Sequence, residues 1–178
     1  MINIRLQTSL LLAILMFLIS CNKHYNSQKI QTINQLEKVI ESDVSHLNSL
    51  NMHNIHSVLK IASFNLSKIE DGKMDSIEFE IIYNDYKAYI NCINLIYENL
   101  LKIDQLHSMV EKNKNQLQKI KNDYMLSKAK RNDLDQYLIE EFKIIHQSSK
   151  HIHHTINTIR KEKDAFFQLN TKMEQIIY

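Results

Sequence analysis

The stretch IYNDYKAYINCINLIYENLLKIDQLHSMV, residues 82–110, decides the fold. Mostly apolar side chains recur in it at alternating intervals of four and three residues: Ile82, Tyr86, Tyr89, Ile93, Ile96, Leu100, Ile103, His107 and Val110. This spacing places them on one face of an α-helix and is typical of a coiled-coil seam. Further apolar residues, including Tyr83, Ile90, Tyr97 and Leu101, widen this face. We therefore expect the helix to contact two neighbours.

The same periodicity extends in both directions from this stretch. It runs through Ile30, Ile33, Leu36, Ile40, Val44, Leu47, Ile55, Val58, Ala62, Leu66 and Ile69 before it, through Leu117, Ile120 and Tyr124 after it, and again through Leu134, Leu138, Ile145, Ile152, Ile156, Ile159, Phe166 and Met173. These runs predict three helices over about 28–70, 75–128 and 133–178.

Two turns separate the three predicted helices. The first contains Gly72, the only glycine of a chain without proline, and Asp75 with Glu78 has the spacing of a capping box after it. The second lies between Lys128 and Asp133, and Asp133 with Gln136 repeats the capping spacing. Short connections make successive helices antiparallel. The sequence therefore predicts an all-α fold, an elongated antiparallel three-helix bundle or coiled coil over residues 28–178. The polar run 111–116 is an alternative break that would give four helices.

The N-terminus has the organisation of an export signal. Arg5 precedes an apolar run that ends at Ser20, and this run is shorter than the roughly 20 apolar residues of a spanning helix. Residues Leu18 to Cys21 resemble the bacterial lipobox, which implies cleavage after Ser20 and acylation of Cys21. We therefore expect a signal peptide over 1–20 and an acylated Cys21 with a short tether over 21–27. The alternative is an ordinary signal or a buried helix with an incidental cysteine.

Acylation would anchor the chain to a membrane. Each buried lipid methylene contributes about 0.8 kcal/mol, so two or more acyl chains hold a protein stably at a bilayer. We expect no cofactor other than the covalent diacylglycerol and fatty acid on Cys21. Cys92 is the only other cysteine, so an internal disulfide is not expected, and we interpret it as a buried apolar residue.

The charge of the chain does not favour nucleic acid as a partner. The formal net charge is +2, and removal of residues 1–20 takes away Arg5 alone, which leaves +1. Nucleic-acid-binding domains carry a stronger positive charge. The richest basic stretch contains Lys112, Lys114, Lys119, Lys121, Lys128, Lys130 and Arg131. This stretch is a candidate patch for an anionic surface, with a solvated helix face as the alternative.

The nine histidines are candidate metal ligands or pH-sensing groups. Helical spacing places His151 and His154 on one face, and a turn near residue 130 brings His107 level with residue 153. However, no zinc motif such as H-E-x-x-H is present. Solvated histidines are therefore the alternative to a metal site built from His107, His151 and His154.

We expect the chain not to be an enzyme. It has no glycine-rich phosphate loop, no nucleophile in a recognisable elbow and no aligned pair of carboxylates. The tyrosines of the second helix, including Tyr83, Tyr86, Tyr89 and Tyr97, follow the seam spacing. We interpret them as core or core-edge residues, with an interface stripe as the alternative.

The N-terminal residues Leu15, Met16, Phe17, Leu18, Ile19, Ser20, Cys21 and Asn22 resemble the export signals of Borrelia surface lipoproteins. The high content of Asn, Ile and Lys is similar to that of proteins from this genus. The resemblance implies a lipid-anchored outer-membrane protein at the cell surface, of a kind that often acts as an adhesin toward host molecules.

Three functions are therefore open. The leading hypothesis is a surface lipoprotein whose helices bind a host or partner macromolecule. The alternatives are a periplasm-facing structural lipoprotein that self-associates through its helical seams, and a metal-binding lipoprotein.

Overall fold

The computed structural model describes residues 27–71, 76–126 and 131–177, and nearly all of them are helical. Residues 27–48 form α1. Four helices follow: α2 (Met52–Asp71), α3 (Ser76–Leu100), α4 (Ile103–Leu126) and α5 (Arg131–Ile177). No strand occurs in the three described ranges. The all-α prediction is confirmed, whereas the Gly72 turn, the Asp75 cap and residues 128–130 of the second turn lie outside the described residues.

The first two predicted helices are each interrupted once. Residues 49–51 separate α1 from α2, where the Asn51 side chain accepts a hydrogen bond of 3.0 Å from the Asn54 backbone amide and caps α2. Residues 101–102 separate α3 from α4, yet the Leu101 amide still donates to the Tyr97 carbonyl at 3.1 Å. The alternative break at 111–116 is absent, because these residues lie within α4.

The third predicted helix is nearly as expected. Helix α5 begins at Arg131, two residues before the predicted start, so Asp133 lies in its first turn. A carboxylate there interacts favourably with the partial positive charge at the helix N-terminus. All eight seam residues predicted for this helix are buried, which confirms its apolar face.

The buried positions follow a stricter heptad pattern than the apolar residues do. The predicted seam residues Val44, Leu66, Ile93, Leu100 and His107 are exposed or half-buried. Their preceding neighbours Asp43, Asn65, Cys92, Asn99 and Leu106 are buried instead. The buried residues thereby keep intervals of three and four through α1 to α4, whereas in α5 the adjacent Thr155 and Ile156 are both buried. Packing between helices requires a seam of constant direction, so this geometry outweighs the polarity of single side chains.

The chain contains two compact units. Of the described residues, one unit comprises 27–41, 111–126 and 131–146, and the other comprises 42–71, 76–110 and 147–177. In the first unit, Lys121 of α4 pairs with Glu37 of α1 at 2.7 Å, and Lys29 of α1 pairs with Asp135 of α5 at 3.2 Å. Its buried core includes Leu36, Leu117, Leu138 and Ile145.

In the second unit, referred to below as unit 2, α5 runs parallel to α1 and α2 and antiparallel to α3. Asp43 and Asn65 contact Ser149 and Asn170, so residue numbers rise together along these helices. Cys92 and Asp85 of α3 contact Glu162 and Lys172 of α5, so there the numbers run in opposite directions.

Candidate functional site

Three predicted site residues lie outside the description of the structure. Cys21, Lys128 and Lys130 fall in the ranges that the structure does not describe, so acylation and the end of the basic stretch stay predictions. Among the described residues, no helix is both long and apolar enough to cross a membrane.

The described lysines of the basic stretch lie on two faces of α4. Lys112 and Lys119 are seven residues apart and share one face, as do Lys114 and Lys121, and about half a helical turn separates the two faces. Lys121 Nζ also lies 2.7 Å from Glu37 Oε2, so the charge of this lysine is matched. The candidate anionic-surface patch is therefore divided within the described part of α4.

The predicted metal ligands His107, His151 and His154 are exposed. Within the described ranges, no group of three or more His, Cys, Asp or Glu residues is arranged to hold a metal ion. The structure instead brings together a histidine pair that sequence reasoning did not select.

This pair is His46 of α1 and His153 of α5, whose ring centroids are 4.2 Å apart. Asp43, which is 2% exposed, places Oδ1 at 3.7 Å from His153 Nε2 and accepts a hydrogen bond of 2.8 Å from Ser149 Oγ. His46 Nδ1 lies 2.9 Å from the Ser42 carbonyl oxygen. The cluster connects α1 to α5 in unit 2. The one sequence signal for it is that Asp43 occupies a position of the three-four core pattern.

A second buried polar cluster lies between α2, α3 and α5. Asn65 Nδ2 and Tyr89 OH both donate to Asn170 Oδ1, at 2.8 and 2.9 Å. Asn170 Nδ2 donates to Glu174 Oε1 at 2.8 Å. Burial raises the pKa of Tyr89 to about 12, so its hydroxyl remains a proton donor at neutral pH. These contacts give the cluster a structural role.

The predicted burial of Cys92 is confirmed, since the side chain is 2% exposed. Its Sγ lies 2.6 Å from the Glu162 carbonyl oxygen. Burial and the nearby Glu162 carboxylate raise the thiol pKa to about 12. Because the thiolate is the reactive form, the thiol is chemically inert at neutral pH.

Helices α2 and α3 form an open groove in unit 2, with a volume of about 460 Å³. It is lined by Leu59, Ser63, Leu66, Ser67 and Glu70 from α2, and by Ile93, Asn94 and Tyr97 from α3. The residues that the seam prediction placed in the core, Leu66 and Ile93, thus line this groove. Apolar residues with a few polar groups are typical of surfaces that bind another molecule.

The groove continues into a row of side chains that we call the α3 stripe: Tyr83, Ile90, Asn94 and Tyr97 of α3, and Leu101, which directly follows α3. Successive members of the stripe are seven, four, three and four residues apart, which keeps them on one face of a helix. Tyr97 is 54% exposed and Leu101 is 62% exposed, whereas Tyr89 is fully buried. The tyrosines of α3 therefore divide between core and surface. The expectation of a core or core-edge position holds for Tyr89 and half-buried Tyr86, but Tyr83 and Tyr97 lie at the surface.

Comparison with known proteins finds no relative of this chain. It matches no protein-family model, no curated protein sequence and no solved structure.

Proposed function

We propose that this protein is a membrane-anchored surface lipoprotein that acts, without catalysis, as a binding protein toward a host or partner macromolecule. Diacylglycerol and a fatty acid on Cys21 hold it to the outer membrane, and its helices present the binding surface. The observation that carries the proposal is the N-terminal pattern. Arg5, an apolar run and Ser20–Cys21 stand directly before a chain with helical periodicity.

The binding role is supported by the α3 stripe and the α2–α3 groove. Tyrosine is enriched at binding surfaces because it buries a large apolar area and retains a hydroxyl for hydrogen bonding. Tyr97 belongs to both the groove and the stripe, and Leu101 extends the apolar surface beyond it. Neighbouring exposed apolar side chains are typical of interaction sites on protein surfaces.

The test of the anchor is metabolic labelling with radioactive palmitate in spirochaetal cells that express the chain. We expect label in the wild-type protein and in Cys92→Ala, and none in Cys21→Ala. The Cys92 variant is the matched control, because it removes the other cysteine and leaves the proposed acylation residue in place. Absence of label from the wild-type protein, while another lipoprotein of the same cells is labelled, would refute the anchor.

The test of the location is protease treatment of intact cells. We expect the protein to be degraded along with a known surface lipoprotein, while a periplasmic control survives. Survival of the protein until the outer membrane is permeabilised would refute the surface location and leave the periplasmic alternative.

That second candidate, a periplasm-facing structural lipoprotein, is supported by the three-four spacing of the apolar residues along the helices. Such spacing is the pattern by which helices pair along their length. In both proposals the helices form the elongated antiparallel three-helix bundle expected from the sequence. Small-angle scattering of the purified protein tests this, since a bundle of three helices has a larger radius of gyration than a sphere of the same mass.

A further inference from the structure

We propose that the α3 stripe binds the α3 stripe of a second copy of this chain, with the two α3 helices antiparallel about a twofold axis. This inference deepens the proposed binding function, on which it rests, by naming the partner of the stripe. It makes a second copy, rather than a host molecule, the first occupant of this surface.

The shape of the surface fits a helix. Ile90 and Tyr97 are seven residues apart, and Leu101 follows Tyr97 by four, so the three side chains form a straight ridge along α3. Asn94 lies between Ile90 and Tyr97 and leaves room for a facing side chain. Beside this ridge, Ser63 and Ser67 give α2 a low edge along the groove. A ridge next to a groove is self-complementary, as a twofold interface requires.

Charge determines the direction of the pairing. Lys87 and Glu98 are both exposed and lie on the same edge of the α3 stripe, the edge away from α2. In an antiparallel pair, this edge faces the same edge of the second copy. A register that places Lys87 opposite Glu98 of the second copy also places Glu98 opposite Lys87 of the second copy. A parallel pair would instead bring this edge opposite the α2 edge of the second copy, so Lys87 and Glu98 would not meet.

The same register aligns the stripes of the two copies along their length. Tyr83 then lies about level with Leu101 of the second copy, and Ile90 about level with Asn94 of the second copy. Twofold symmetry makes each contact occur twice. A stripe of five side chains offers less area than the roughly 800 Å² per partner that a standard stable interface buries. We therefore expect a weak dimer.

The first experiment is cross-linking of the full chain in intact cells with a short membrane-permeant bismaleimide. Asn94→Cys places a thiol near the proposed twofold axis, and Asn157→Cys places one on an exposed position of α5 as the matched control. The native Cys92 is buried and does not compete for the reagent. We expect an adduct of twice the chain mass from Asn94→Cys and none from Asn157→Cys. An adduct with a different protein, or no adduct, would overturn the proposal.

The second experiment tests the charge register in the Asn94→Cys background. Lys87→Glu and Glu98→Lys each replace two attractive pairs of the dimer with two repulsive ones, so we expect each to lower the cross-linked yield about tenfold. The double swap restores opposite charges, and we expect a yield within about twofold of the parent. A double variant that cross-links as poorly as the single variants would refute this pairing, since both substitutions lie on an exposed edge.

Palmitate labelling of the same cells separates the two proposals. An adduct of twice the chain mass without palmitate label would overturn the lipid anchor and leave the pairing. Label without that adduct would overturn the pairing and leave the anchor.

Discussion

Replacement of Asn170 by alanine is expected to destabilise the protein more than any other single change to its buried polar groups that we consider. Asn170 Oδ1 accepts from both Asn65 Nδ2 and Tyr89 OH. Removal of this acceptor leaves two buried donors without this partner, and each loss costs about 1 to 3 kcal/mol of stability. We therefore expect Asn170→Ala to lower the free energy of unfolding by about 4 kcal/mol. The assay is urea unfolding of the purified protein followed by circular dichroism.

Two further variants make this prediction discriminating. Tyr89→Phe removes one donor but leaves Asn65 paired with Asn170, so we expect a loss of only about 1 kcal/mol. The triple variant Asn65→Leu, Tyr89→Phe, Asn170→Leu removes both donors and their shared acceptor and leaves only the exposed Glu174 without its partner Asn170, so its stability is expected within about 1 kcal/mol of wild type. The reasoning would be refuted by a triple variant at least as unstable as Asn170→Ala, or by a loss below about 1 kcal/mol in Asn170→Ala.

Three other outcomes are expected. Glu141 is 6% exposed, and burial raises the pKa of its carboxyl above 4.5. The folded state therefore binds the carboxyl proton more tightly than the unfolded state does. The contribution of this difference to stability is complete below pH 4.5 and is lost as the pH rises. The unfolding free energy of Glu141→Gln in urea should therefore rise relative to that of wild type as the pH increases from 4.5 to neutrality. A difference between the two proteins that does not change with pH would contradict this. The pKa of Cys92, raised from 9.0 to about 12, implies about a thousandfold less thiolate at neutral pH. In the Cys21→Ala protein, a thiol reagent should react with Cys92 only after unfolding, and fast reaction of the native protein would contradict this. Asn51→Ala removes the cap of α2 and should cost about 1 kcal/mol in unfolding free energy, whereas Asn51→Asp should cost less, and equal losses would exclude a capping role.

The helical class and the position of α5 could be predicted from the sequence because they depend on composition and apolar period. A chain with one glycine and no proline has few residues that interrupt a helix. The apolar seam from Leu134 to Met173 runs without a long polar interruption, and its burial is confirmed. Both properties are local, so they require no knowledge of which helices meet.

The interruptions and the exact seam could not be predicted in the same way. The break at 49–51 depends on the Asn51 side chain replacing a backbone partner of Asn54, and an Asn-rich stretch does not reveal which residue does so. The neighbour pairs Asn65 and Leu66, or Cys92 and Ile93, differ by one position. Hydrophobicity favours the second residue of each pair, whereas the geometry of facing helices buries the first. The His46–His153 pair likewise depends on register between helices 107 residues apart in sequence.

The buried polar residues that hydrophobicity disfavours are those that set the register of α5. Apolar contacts repeat every seven residues, so a slip of α5 by one heptad would keep apolar side chains facing one another. Such a slip would move Asn170 from Asn65 toward Val58 and would separate Ser149 from Asp43. Each separation leaves a buried polar group without its partner. The free-energy cost of this loss exceeds the difference between the apolar contacts of the two registers. A single polar residue in a heptad seam fixes register for this reason, and unit 2 contains two such matched pairs about six turns apart along α5.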